Sequence, residues 1–343
     1  MNNFLQAITS FLNAIFRGGK TSPARPQSSA TPTQSGPTDN IAEPIVVSPR
    51  VLLIVIDPIV DPASGEKLTQ RMKWYRPEDL IATFLDDTVA DSAGLARYQI
   101  VDRIEVNDFP KKADGFVYTA QTYLDVLKHG SPAHQPDLID YQAFLKRHNI
   151  LDLVASNQID EVWAFAFPFA GFYESTMGGA GAFFCNSDPI PYTASCPRRF
   201  VIMGLSYERG PGEVLHSFGH RAESIMERVY ARSRGDANLW GRFTQYDQTS
   251  PGKAQIGTIH FPPNGEKDYD YGNTRMVVSA CDDWYNFPNL TGTMKQVNNT
   301  EWGGEIRVYT NWWLKHLPKA RGQTNGIANN WWQYILDPNR VNV

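Results

Sequence analysis

The sequence predicts an α/β fold: a mostly parallel sheet covered by helices, with a Trp-rich, irregular C-terminal elaboration. Two observations carry that expectation. Residues 51–56 (VLLIVI), 161–167 (EVWAFAF) and 200–207 (FVIMGLSY) are continuous apolar runs, the pattern of strands buried on both faces. Between them lie segments with helical periodicity, and strands alternating with helices imply a parallel sheet with right-handed crossovers.

The first strand, 51–56, ends at Asp57-Pro58. A helix is expected from Pro77 to about Ala90, with proline at its first position and Glu78 and Asp79 against the positive end of the helix dipole. A strand over 98–106 follows, then helices near 119–128, 138–147 and 150–156. After Arg234 the chain changes to short β-like runs, Gly/Asn/Pro turns and many aromatic residues. That part, about 235–343, reads as an elaboration within a single large domain spanning 45–343, and no internal repeat is present.

The N-terminus reads differently. Over residues 1–19, Phe4, Leu5, Ile8, Phe11, Leu12, Ile15 and Phe16 share one helical face, with Gln6, Ser10, Asn13 and Arg17 opposite. The first basic residue is Arg17 and polar residues interrupt the apolar run, unlike a secretory signal peptide. The expected role of residues 4–16 is docking on a membrane surface or a protein groove. A helix packed on its own domain and an export signal are the alternatives. Residues 20–44, rich in Pro, Ser and Thr, bury too little surface to offset ordering entropy and read as a disordered tether.

Of the 343 residues, 42% are hydrophobic, enough for a sizeable core, and 20% are charged. The 32 basic and 36 acidic residues give a net charge of −4, which argues against nucleic-acid binding driven by phosphate contacts. No apolar stretch is long enough for a membrane-spanning helix. Three cysteines lack zinc-finger spacing; Cys185 and Cys196 bracket a loop that closes as a disulfide in an oxidising compartment or holds two buried thiols.

In open α/β sheets ligands bind beyond the carboxyl ends of the strands. Three strand exits carry polar groups there: Asp57; Glu174 in the segment after 167; and Tyr207-Glu208-Arg209. Asp57, Glu174 and Tyr207 are therefore expected substrate contacts, although Asp57 also suits a turn cap. The sharpest pattern lies in the helix over 213–227. At roughly 100° per residue, Glu213, His216, His220, Glu223 and Glu227 fall within about 80° of one another. Histidines at i and i+4 let two imidazoles meet one divalent ion from a single helix. Ser217 stands where zinc peptidases carry glutamate, so Glu213 or Glu208 would be the general base. The third ligand is expected from Glu223 or His260, and the ion is a divalent metal of the zinc class. Arg209 would polarise the substrate or bind an anionic group.

Seven of the nine tryptophans follow residue 239. Most are expected in the core, and a minority could form a platform for sugar rings. Several segments, Phe172-Tyr-Glu-Ser175 through Gly181-Ala-Phe-Phe-Cys-Asn-Ser187, Tyr207-Glu-Arg-Gly-Pro-Gly-Glu213, Phe218-Gly-His-Arg-Ala-Glu-Ser224 and Asn329-Asn-Trp-Trp332, resemble a family of uncharacterised, often exported bacterial α/β proteins, sometimes joined to carbohydrate-binding or fibronectin-like modules. The resemblance covers most of residues 50–340. It implies an extracellular or cell-envelope setting and brings no activity, so no catalytic residue is carried over.

The leading functional expectation is a metal-dependent hydrolase acting on a polymer or peptide outside the cytoplasm. The alternative is a non-catalytic glycan- or envelope-binding module using the Trp-rich end. A third reading is an interaction protein whose essential feature is its N-terminal docking helix.

Overall fold

Burial of the three apolar runs builds the sheet. The computed structural model describes residues 43–342, so the docking helix at 4–16 and nearly all of the tether lie outside the described residues. The sheet contains β1 (Arg50–Ile56), β2 (Gln99–Val106), β3 (Glu161–Ala166), β4 (Thr176–Gly178) and β5 (Phe200–Ser206), in the order β2-β1-β3-β5-β4. β1 pairs in parallel with β2 and β3, and β3 in parallel with β5; β4 is an antiparallel edge. Every residue of β3 is buried, as a strand covered on both faces requires. β2 forms the other edge, largely exposed, where Asp102, Arg103 and Glu105 discourage pairing with another chain.

The covering helices are α1 (Pro77–Asp91), α2 (Ala120–His129), α3 (Tyr141–Arg147), α4 (Ile150–Ala155), α5 (Pro211–Val229), α6 (Ile306–His316) and α7 (Trp332–Leu336). α3 starts three residues later than its periodicity suggests because Asp140 is its cap, accepting from the Ala143 amide at 2.9 Å. Helix α6 was not expected in the C-terminal part. Its Ile, Val, Tyr, Thr and Trp residues favour strands locally, and packing against α5 overrides that preference. Small antiparallel pairs at Val277–Ser279/Lys295–Val297 and Lys319–Thr324/Ile327–Asn330 complete this part.

The tryptophans after residue 239 are all buried. Four of them, Trp240, Trp284, Trp313 and Trp331, surround Phe243: Trp240 meets Trp313 edge-on at 6.1 Å, and Phe243 meets Trp331 at 5.5 Å. A sugar platform of exposed indoles at this end therefore has no surface to stand on. The three cysteines are free, buried thiols. Cys185 lies against the Ser175 hydroxyl and Cys196 against the Leu151 and Arg198 carbonyls, so the disulfide alternative is replaced by two separate thiols.

α5 lies against β5 and is flanked by α1, α6 and α7. Its rotation about its own axis is set by Arg221, which turns fully inward. The guanidinium meets Glu161 of β3 at 2.7 Å, with side-chain exposures of 0% and 2%. Glu161 also accepts from the Trp163 indole at 2.6 Å, and Arg221 Nε donates to the Ile335 carbonyl of α7 at 3.1 Å. Removing one partner leaves an uncompensated buried charge, which costs about 3–5 kcal/mol. Arg221→Ala should lose stability on that scale in urea unfolding. The double replacement Glu161→Met, Arg221→Met should recover most of it, because neither charge is then buried.

Asp160, just before β3, accepts from Arg50 Nε at 2.8 Å and Arg198 Nη2 at 2.5 Å. Burial opposes ionisation of this carboxyl, but the two guanidinium groups outweigh it and bring its pKa down to about 2. The folded pKa lies below the unfolded one, so this contribution is present above about pH 4 and is lost as pH falls towards 2. Asp160→Asn should cost about 2 kcal/mol at neutral pH. Its unfolding curve should converge with that of the wild type in strong acid.

Candidate metal centre and adjoining cleft

α5 follows Gly210 and opens with Pro211 at its first turn. Val214, Leu215, Phe218, Ala222, Ile225 and Met226 are buried, which fixes the apolar side of the helix. With Arg221 directed at the sheet, His216 and His220 project from the neighbouring flank, one turn apart. A loop from the C-terminal part comes to meet them. It approaches closely because position 219 is glycine: a Cβ there would lie 2.4 Å from Ile259 Cδ1. The loop also turns tightly at Gly257, where φ is +86° and a Cβ would stand 2.2 Å from the Phe261 carbonyl oxygen. Two aromatic donors on α6 clamp its carbonyls: Tyr309 donates to Thr258 at 2.6 Å and Trp313 to Gly257 at 3.1 Å.

The result is a convergence of three imidazoles. His260 Nε2 lies 3.2 Å from His216 Nε2 and 3.0 Å from His220 Nε2. The three ring nitrogens fall within the 4.8 Å mutual spacing that one metal ion can bridge. Carboxylates stand behind two of the rings. Glu223 Oε2 lies 3.1 Å from His220 Nδ1, and Asp268 Oδ1 lies 3.3 Å from His260 Nδ1. Such partners accept a hydrogen bond from Nδ1–H and so leave the lone pair on Nε2, the arrangement of metal-bound histidines. Glu223 also accepts from the Ile259 amide at 2.8 Å, so one carboxylate orients His220 and anchors the loop carrying His260. Of the two residues expected to join the helix histidines, His260 brings its Nε2 beside both, and Glu223 stands behind His220.

The electrostatics are divided. Burial, then the neighbouring His220 and His260 rings, push His216 down to about 3 and keep it neutral. Burial also acts against protonation of His220, but Glu223, Glu174 and Glu213 outweigh it and hold its pKa above the ordinary value. Burial raises the Glu213 carboxyl; Arg209 offsets part of this, while Glu174 and Glu208 add to it. Tyr269 covers the cluster, with its ring 5.2 Å from His216 and 4.6 Å from His260. Its φ of +58° is uncommon for an aromatic residue. No local pattern in the sequence signals this tyrosine.

Beside the histidines lies a cleft of ≈ 830 Å³ at the carboxyl ends of β3 and β5, walled by Trp74, Phe169, Tyr173, Glu174, Glu208 and Arg209. Glu213 reaches the same cleft. Glu174 joins cleft and centre, with Oε2 3.8 Å from His220 Nε2. Arg209 is held between Glu213 at 3.3 Å and Glu174 at 3.8 Å. Glu174, Glu208 and Arg209 were expected at these strand exits, whereas no local pattern signalled the aromatic wall of Trp74, Phe169 and Tyr173. Phe169, at φ +59°, is pinned there by fully buried Lys112, which donates to its carbonyl at 2.5 Å and pairs with Asp137.

Two expected substrate contacts are engaged elsewhere. Asp57 is buried and accepts from the Thr69 amide at 3.0 Å and the Thr69 hydroxyl at 2.6 Å, capping a short turn of helix. The Tyr207 hydroxyl donates to the Ile56 carbonyl at 2.9 Å inside the core. Neither lines the cleft. Glu227 is exposed, beyond the cluster. A second grouping of potential ligands, Cys281, Asp282 and Glu301, already surrounds an ammonium: Lys295 Nζ lies 2.8 Å from Asp282 and 2.7 Å from Glu301.

Comparison with protein-family models, with curated proteins and with solved structures finds no match. The close turn at Gly257 makes one consequence testable. Gly257→Ala must adopt a left-handed backbone and meet the Phe261 carbonyl, at a cost of order 1–3 kcal/mol or more. It should lower the unfolding midpoint and weaken divalent-ion binding at the histidines. Gly252→Ala, at φ +71° with nothing within 4 Å of the added Cβ, should leave ion binding unchanged.

Proposed function

We propose that the chain is a metal-dependent hydrolase acting on a polymer or peptide substrate. The observation that carries this reading is the convergence of the His216, His220 and His260 Nε2 atoms beside an open cleft. Three imidazoles make a donor set suited to zinc and its first-row neighbours, and catalytic zinc sites use three protein ligands with a further position open. The buried Nδ1 of His216, without a hydrogen-bond partner among the described residues, is the one ring nitrogen that lacks a supporting group. The carboxylates at Glu223 and Asp268 supply that support for the other two rings.

An ion held there supplies Lewis acidity and a lowered pKa for bound water. The surrounding residues have separable tasks. Glu213, its carboxyl raised by burial, would take a proton as general base. Glu174 stands at the junction of centre and cleft, and Glu208 on the cleft wall is the second candidate base. Arg209, held by Glu174 and Glu213, offers its remaining donors to a carbonyl or anionic group of the substrate. Trp74, Phe169 and Tyr173 provide apolar wall for a chain-like ligand, and the cleft volume is in the range of a small-ligand site.

The test is metal content. Protein purified without chelators should carry a near-stoichiometric divalent ion, and cobalt in its place should give a visible absorption band. His216→Ala, His220→Ala should lose the ion and the band while retaining the far-UV circular dichroism of the parent. Glu213→Gln should keep the ion and lower hydrolysis of denatured protein or polysaccharide by about 100-fold or more. Equal, negligible metal in the parent and the double variant would sink the reading.

A further inference from the structure

A second groove runs along α3. It occupies the corner between α3 and α4 and is closed by the loop residues Pro191 and Tyr192, with a volume of ≈ 680 Å³. Tyr192 is unusual in two respects. It is 84% exposed, so its ring contributes almost nothing to the core. Its φ is +62°, a left-handed conformation that is unfavourable for a bulky aromatic residue. A strained backbone that projects an apolar ring into water is better explained by a ligand than by folding.

The polar groups around the ring point to the class of ligand. Gln142 and Lys146 of α3, Asn149 between the helices and Asp152 of α4 line the groove. All four are exposed to solvent, and none of their side chains is engaged by another described residue, so their donors and acceptors are open to a ligand. Two amides, one cation and one anion give both donors and acceptors with no net charge. Next to them, Pro191 and the Tyr192 ring form a flat apolar surface. A charged ligand has no excess counter-charge here, and a wholly apolar one would leave the four polar groups unanswered. A pyranose ring meets both requirements: its C–H face stacks on an aromatic ring, and its equatorial hydroxyls reach amides and carboxylates at the rim.

We propose that this groove is a saccharide subsite that takes a neutral pyranose unit stacked on Tyr192. It is separate from the histidine centre and stands whether or not that centre holds metal. Tyr141, at the start of α3, lies parallel to the cleft residue Tyr173 at 6.1 Å, and the next residue, Gln142, lines the groove.

The experiment is calorimetric titration of the full chain with two neutral probes, cellohexaose and chitohexaose. At least one should bind. Tyr192→Ala should weaken that binding by about tenfold or more, whereas Tyr192→Phe, which keeps the ring, should stay within about threefold of the parent. Asn149→Ala with Gln142→Ala should weaken it as well. Unchanged circular dichroism and unchanged divalent-ion content in each variant would show that the loss is local. The proposal is overturned if neither hexasaccharide binds at millimolar concentration, or if Tyr192→Ala binds as tightly as the parent. It is equally overturned if a proline-rich peptide binds at Tyr192 in place of the saccharides.

Discussion

The buried ion pair between Glu161 and Arg221 is the constraint on which the rest of the molecule depends. It joins the central strand of the sheet to α5 with both charges withdrawn from water. Such a pair is a poor source of net stability, because desolvation cancels much of the attraction. Its effect here is geometric. The guanidinium admits few orientations once it meets Glu161, the Ile335 carbonyl and the Phe218 ring together, so α5 has one rotational setting. His220 precedes Arg221 by one residue, roughly 100° around the helix. Directing Arg221 at the sheet therefore directs the histidines away from it, towards the ends of the strands.

The third histidine depends on the Trp-rich part of the chain. Three of its aromatic residues bury their rings and donate to backbone carbonyls: Trp313 to Gly257, Tyr309 to Thr258, Trp302 to Tyr271. Each bond removes an orphan acceptor from a loop packed against the core, which is how irregular backbone survives there. The aromatic elaboration is thus a scaffold for one loop. Gly219 and Gly257 give the loop its close approach, and Glu223 bonds to both the helix histidine and the loop backbone.

Charge is sorted across the site over a short distance. His216 sits deepest and is neutral, while His220 is biased towards protonation by three carboxylates when nothing else shares its lone pair. A divalent ion would replace that proton with a larger charge facing the same carboxylates. On the cleft side, Arg209 keeps Glu174 and Glu213 from simply repelling one another. Imidazoles, supporting carboxylates and a single arginine therefore form one coupled arrangement, which opens onto the ends of β3 and β5.

The sheet, most of its helices and the histidine face of α5 were legible in the sequence, because each follows from local periodicity. Strands buried on both faces are continuous apolar runs, and i,i+4 histidines on an amphipathic helix share a face wherever the helix packs. His260 was legible only as a candidate, since no local pattern measures the 44 residues separating it from His216. What remained hidden was decided by contacts between distant segments. Asp57 and Tyr207 sit at strand exits, as ligand contacts do, yet their partners, Thr69 and the Ile56 carbonyl, draw them into the core. α6 is a helix because it packs on α5, against its own β-forming composition. Tyr269 and Phe169 are placed by left-handed turns that residue type alone would disfavour. The sequence by itself determined which faces are apolar and which side chains can ligate. Only the tertiary structure decided which of those side chains meet, because convergence depends on long-range packing that no periodicity encodes.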